Sequence, residues 1–142
     1  MLCYCSICRK LCGGGFGVNI RGLKKNLKVT GARHIKRYRA VMGKGKRSGA
    51  VRTFCGACGA HLWLEEPKSY PNEFWPNAGV IDTELPVPKE FALIFVGTRP
   101  KWAPMPKPST RHRGYPSFTI AEWHEYFGNR PYHKTCPQWP GT

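Results

Sequence analysis

Phe54-Cys55-Gly56-Ala57-Cys58-Gly59-Ala60-His61-Leu62-Trp63-Leu64 is the stretch on which the reading of this chain turns. Val51 to Phe54 before the first cysteine and Ala60 to Leu64 after the second are short, apolar and rich in β-branched or aromatic residues, so each reads as a strand. The Cys-x2-Cys pair then lies at the bend between them. Glycines at such a bend let backbone amides point at the two sulfurs, which is the geometry of a zinc knuckle and of half a four-thiolate structural site. A redox dithiol is the other reading, but it calls for a helix N-terminus at the first cysteine to lower its pKa, and strands flank this pair. A knuckle of Cys55 and Cys58 still needs two further ligands.

Outward from the knuckle, Phe16 to Ile20, Leu27 to Thr30, His34 to Val41, Gly79 to Thr83 and Phe91 to Val96 also read as short strands separated by Gly, Lys and Asn clusters. Residues 67 to 77 read as a Pro, Asn and aromatic loop, and Met42 to Gly49 as a basic hairpin tip. One helix is expected, Ile120 to Phe127, capped by Thr119, with Glu122 completing a capping box and Gly128 ending it. The predicted fold is therefore mainly β. It is a β-sandwich-like zinc-binding fold of short antiparallel strands with a zinc knuckle and one short C-terminal helix. Residues 1 to 127 would form the domain, and 128 to 142 a Pro-rich extended tail.

The chain has 142 residues, enough for one domain with a real core. Its apolar runs are too short to span a bilayer and no leader pattern precedes them, so a membrane or secreted protein is not expected. Charge is distributed unevenly. Residues 1 to 64 hold fourteen Lys or Arg and no acid, whereas residues 65 to 142 hold nine Lys or Arg and eight acids. A block of one sign is expected to face solvent or an anionic partner, and a small anionic substrate and a nucleic-acid backbone both suit it. Seven cysteines without an export signal point to a reducing, cytoplasmic setting and to metal or thiol chemistry rather than disulfides.

Four of those cysteines open the chain: Cys3-Tyr4-Cys5-Ser6-Ile7-Cys8, then Cys12. Three thiols within six residues can turn inward onto one zinc ion, leaving a net charge of −1 beside Arg9 and Lys10. Such a site could keep its fourth position open for water or substrate, as catalytic zinc does, or be closed by Cys12 or a distant residue. His61 is either a ligand or proton shuttle or a packed strand residue. The basic run from Arg33 to Arg52 is either a solvated face or an anion site.

Taken together, Cys3 to Lys10, the glycines after it and the Phe54 to Leu64 stretch resemble the family of glutathione-dependent formaldehyde-activating enzymes, which also includes centromere protein V. Val80 to Pro86 and Tyr115 to His124 look like the family's later strand and terminal helix. The resemblance implies a catalytic zinc on Cys3, Cys5 and Cys8, and a structural zinc of which Cys55 and Cys58 are half. The other half in the family is a Cys-x-Cys pair upstream of the catalytic motif; this chain lacks it and is read as N-terminally incomplete, the alternative being that Cys136 substitutes in the knuckle site.

The activity implied is that of a zinc-dependent carbon-sulfur lyase acting on a small, anionic, glutathione-like thiol adduct such as S-hydroxymethylglutathione. The alternative is a non-catalytic zinc module. Its basic face, Arg21, Lys24, Lys25, Lys28 and Arg33 to Arg52, would then bind nucleic acid through phosphates with a steep salt dependence.

Overall fold

The computed structural model describes residues 1–107 and 109–111. The predicted helix Ile120 to Phe127, the tail 128 to 142 and Cys136 lie outside them. The predicted strands on either side of the knuckle are present as β5 and β6. In chain order the elements are β1 (Leu2–Cys3), α1 (Ser6–Cys12), β2 (Gly17–Val18), β3 (Gly22–Leu23), β4 (Ile35–Tyr38), β5 (Val51–Cys55), β6 (His61–Glu65), β7 (Glu73–Pro76), β8 (Phe91–Ile94) and β9 (Ser109–Arg111). They form two sheets, ordered β2-β1-β8-β9 and β3-β7-β6-β5-β4. The mainly β expectation is met.

The larger sheet is antiparallel throughout, built outward from the β5–β6 hairpin that carries the knuckle. Thr53 faces Trp63 across that hairpin, and the register shifts between Thr53 and Phe54, which sharpens the local twist. β4 is the edge strand, with Lys36, Arg37 and Tyr38 exposed, and charges on an edge discourage further pairing. In the smaller sheet β1 and β2 are antiparallel, but β8 runs parallel to both β1 and β9, a departure from the antiparallel expectation. Parallel neighbours require a long crossover, and here more than half of the chain, residues 4 to 90, lies between β1 and β8.

Several elements differ from the sequence reading for local reasons. Residues 67 to 77 contain β7, hidden because Pro76 closes the strand and Pro71-Asn72 precedes it. Gly79 to Thr83 is not a strand: the Asn77 side-chain oxygen accepts the Gly79 N–H at 3.0 Å and turns the chain into a 3-10 segment, Ala78–Val80. Leu27 to Thr30 follows another 3-10 segment, Lys24–Asn26, and pairs with no strand.

Each sheet has its own core. Leu2, Tyr4, Leu93 and Ala103 pack in the smaller one, and Leu64, Tyr70 and Trp75 in the larger, where the Tyr70 and Trp75 rings meet edge-on at 5.2 Å. Where the sheets meet, the Ile20 N–H donates to the Pro76 carbonyl at 2.9 Å, and Asn19 bridges to Asn77.

The basic half is not left wholly to solvent. Because β3 lies beside β7, Arg21 donates Nε and Nη2 to the two carboxylate oxygens of Glu73 at 2.8 and 2.7 Å. Lys24 lies 2.9 Å from Glu65. At these two positions the acids of the second half supply the partners that the first half lacks. Among the described residues no helix is long and apolar enough to cross a membrane.

Candidate metal centre

Cys3 ends β1, Cys5 precedes α1 and Cys8 lies in its first turn. The sequence reading assigned no helix here, and the structure has one, with a sulfur in the place of the usual capping oxygen. Cys5 is extended, and its Sγ accepts the Cys8 N–H at 3.3 Å. Gly13, at φ 66°, ends the helix in the left-handed conformation that glycine adopts without a Cβ penalty.

This short helix turns the three sulfurs toward one point. The Sγ atoms of Cys3, Cys5 and Cys8 all lie within 4.8 Å of one another, with Cys3 and Cys8 buried and Cys5 half-buried. Tyr4, between the first two, is pinned on three sides. Its ring is fully buried, its hydroxyl donates to the Pro104 carbonyl at 2.8 Å, and its carbonyl accepts Arg9 Nε at 3.1 Å and Thr98 Oγ1 at 3.2 Å. The cluster is thus held by packing before any ligand arrives.

Its electrostatics are those of thiols sharing too few protons. Cys5 is held well below the usual thiol range by hydrogen bonds from the Cys3 and Cys8 thiols, with the Cys8 and Ile7 backbone N–H groups adding to them. Cys3 is pushed far up by donating to Cys5 and Cys8 and by its burial. A thiophilic dication held by Cys3, Cys5 and Cys8 would remove that competition, since all three could then be thiolates. The donor set, its convergence and its burial fit zinc.

Cys12 stands outside this group. Its Sγ accepts Asn77 Nδ2 at 3.2 Å and lies 3.9 Å from His61 Nδ1. Burial pushes the Cys12 thiol up, and burial, then the Arg52 charge, pushes His61 down, so the two meet as neutral groups. His61 is accordingly a packed strand residue, 7% exposed, with its partner on α1.

A pH effect follows from His61. Its folded pKa lies below the ordinary value of 6.5, so the stability due to the neutral ring is complete above 6.5 and is lost as pH falls through the folded value. Thermal melts from pH 7.5 to 5 are expected to fall more steeply for the wild type than for His61→Asn. Protonation of the cysteines is common to both proteins, so equal slopes would contradict this assignment.

Cys55 and Cys58 sit in the turn between β5 and β6, as the sequence reading expected. The Cys58 and Ala57 backbone N–H groups, together with the Cys58 thiol, hold Cys55 below its ordinary value. Among the described residues, no third cysteine, histidine or carboxylate joins the pair into a ligand group.

The cysteine cluster opens on a cavity of about 500 Å³. Ile7, Met42, Leu64, Trp75 and Phe95 make its walls largely apolar, and the polar lining includes Asn19, Arg52 and Glu66. Sequence reasoning left Arg52 in a basic run that was either a solvated face or an anion site, and passed over the other two. Arg52 and Thr53 are successive residues of β5 and therefore point to opposite faces, yet both are buried, so no alternation marks either face as the wet one.

Comparison with known proteins agrees with this construction. The family model described as glutathione-dependent formaldehyde-activating enzyme matches residues 1–97. A protein of Halomonas elongata, whose name assigns it provisionally to the glutathione-dependent formaldehyde-activating enzymes, is 38% identical over 129 residues, covering 89% of this chain and 81% of its own length.

Proposed function

The chain belongs to the glutathione-dependent formaldehyde-activating enzyme family, and from that premise we propose that it is a zinc-dependent carbon-sulfur lyase of the cytoplasm, acting on S-hydroxymethylglutathione or a similar thiol adduct. The observation that carries this reading is the convergence of three sulfurs, two of them on buried residues, on the wall of a ligand-sized cavity. Cys3, Cys5 and Cys8 would hold the zinc, and Cys55 and Cys58 half of a second, structural zinc. A zinc ion on three thiolates supplies a Lewis-acid position, able to keep a substrate sulfur ionised or to polarise an aldehyde oxygen.

The chain's own residues do the rest. Tyr4 and its three anchors fix the spacing of Cys3 and Cys5. The N–H groups of Ile7 and Cys8 keep charge on the Cys5 sulfur. The largely apolar walls lower the local dielectric and so strengthen charge interactions beside the cluster. In the synthetic direction the glutathione sulfur bonds to the formaldehyde carbon, and the thiol proton ends on the former carbonyl oxygen. The lyase direction reverses both changes.

Two-dimensional exchange NMR with glutathione and 13C-formaldehyde tests this. Zinc-loaded protein is expected to raise the exchange rate between free glutathione and its hydroxymethyl adduct well above the spontaneous rate, and chelation to abolish the gain. An unchanged rate with stoichiometric zinc bound would refute the proposal.

A further inference from the structure

Arg52 lies in the cavity wall in a state that its surroundings leave incomplete. The residue is 6% exposed, yet its Nε has no hydrogen-bond partner. Only Nη1 is engaged, weakly, with the Ala50 carbonyl at 3.2 Å and the Ser48 hydroxyl at 3.4 Å. Among the described residues no carboxylate reaches it at ion-pair distance: the two ion pairs are Arg21 with Glu73 and Lys24 with Glu65. Glu66, in the same cavity, feels the Arg52 charge without touching it.

A guanidinium is almost never buried without a counter-charge, because removing it from water is costly and its fork of N–H donors is left unsatisfied. A bound carboxylate would supply both the charge and two acceptor oxygens. The location matters as much as the state. Cys3, Cys5 and Cys8 line the same cavity, and three thiolates on a dication keep a net negative charge that repels an anionic substrate. A cation in the wall offsets that repulsion for a ligand whose sulfur is directed to the cluster.

We propose that Arg52 is a specificity-determining residue that pairs with a substrate carboxylate, so that the site selects thiols carrying a carboxylate over neutral thiols. This inference rests on the reading of the cluster as a thiol-adduct site and narrows its substrate class.

The test is calorimetric binding to the zinc-loaded full chain of three probes: glutathione, its dimethyl ester and 2-mercaptoethanol. Wild type is expected to bind glutathione about 10- to 100-fold more tightly than the ester, the range of a charge-assisted hydrogen-bonded contact. Arg52→Met is expected to lose most of that preference with its zinc content unchanged, and to bind 2-mercaptoethanol as the wild type does. Arg52→Lys, which keeps the charge but not the fork, should fall between them.

Equal binding of acid and ester by the wild type, or a preference undiminished in Arg52→Met, overturns the assignment while leaving the thiol site standing if 2-mercaptoethanol binds. Should Arg52→Met fail to fold, the wild-type acid-to-ester ratio and Arg52→Lys decide the matter. Failure of all three probes to bind the zinc-loaded wild type would remove the thiol-site reading and this proposal with it.

Discussion

Cys5→Ser is expected to lower the affinity for zinc by on the order of 10²- to 10³-fold, and the lyase activity with it at limiting zinc. The magnitude follows from structural zinc sites, where about 10–16 kcal/mol is shared among four ligands, so that each is worth roughly 3 kcal/mol. Serine is the informative replacement because Cys5 has two roles. Its sulfur caps α1 through the Cys8 N–H, and a serine oxygen fills that role as well or better. The helix should therefore persist while the thiolate is gone. Metal analysis after dialysis, with circular dichroism as the control for folding, checks this. Full zinc retention at the cluster would mean that Cys5 is a cap and nothing more.

Arg21→Met is expected to destabilise the fold by about 3 kcal/mol, near the lower end for breaking a buried ion pair. The two ends of the pair are unequal. The Glu73 side chain is 1% exposed and that of Arg21 41%, so removing the arginine takes two charge-assisted hydrogen bonds from a carboxylate that water cannot reach, whereas the guanidinium is already partly hydrated. For a chain of this length the loss amounts to a drop in melting temperature on the order of 10 °C. The bidentate contact ties Arg21, the residue before β3 and just beyond the junction of the two sheets, to Glu73 of β7. It includes none of the three clustered cysteines, so zinc stoichiometry should be unaltered. A melting temperature within two degrees of wild type would show that Glu73 is held by its other contacts.

How far the sequence carried can be followed residue by residue. The knuckle and its strands were legible because Cys-x2-Cys with glycines, set between two β-rich runs, admits few local structures. The cysteine cluster was legible as a ligand set, since three thiols in six residues have few other uses, but its helix was not. Cysteine is not a recognised cap, and Ser6 to Cys12 is too short to show a helical period. The two-residue strands β1, β2 and β3 carry no pattern by themselves and exist only through their partners. The same holds for the ion pairs of Arg21 and Lys24, whose acids lie some forty to fifty residues away in sequence. Arg52 was left between two readings, a solvated face and an anion site, for a related reason. Nothing in a run of basic residues marks which of them turns inward, and here only the packing of β5 does so.

Cobalt(II) titration of the full chain, taken as the difference between wild type and Cys5→Ser so that the Cys3–Cys5–Cys8 group alone contributes, is the sharpest test of a three-thiolate site open to thiols. One equivalent is expected to bind with thiolate-to-cobalt charge transfer, in a spectrum that changes when glutathione is added. No difference between the two proteins, or a charge-transfer band indifferent to added thiol, would contradict it.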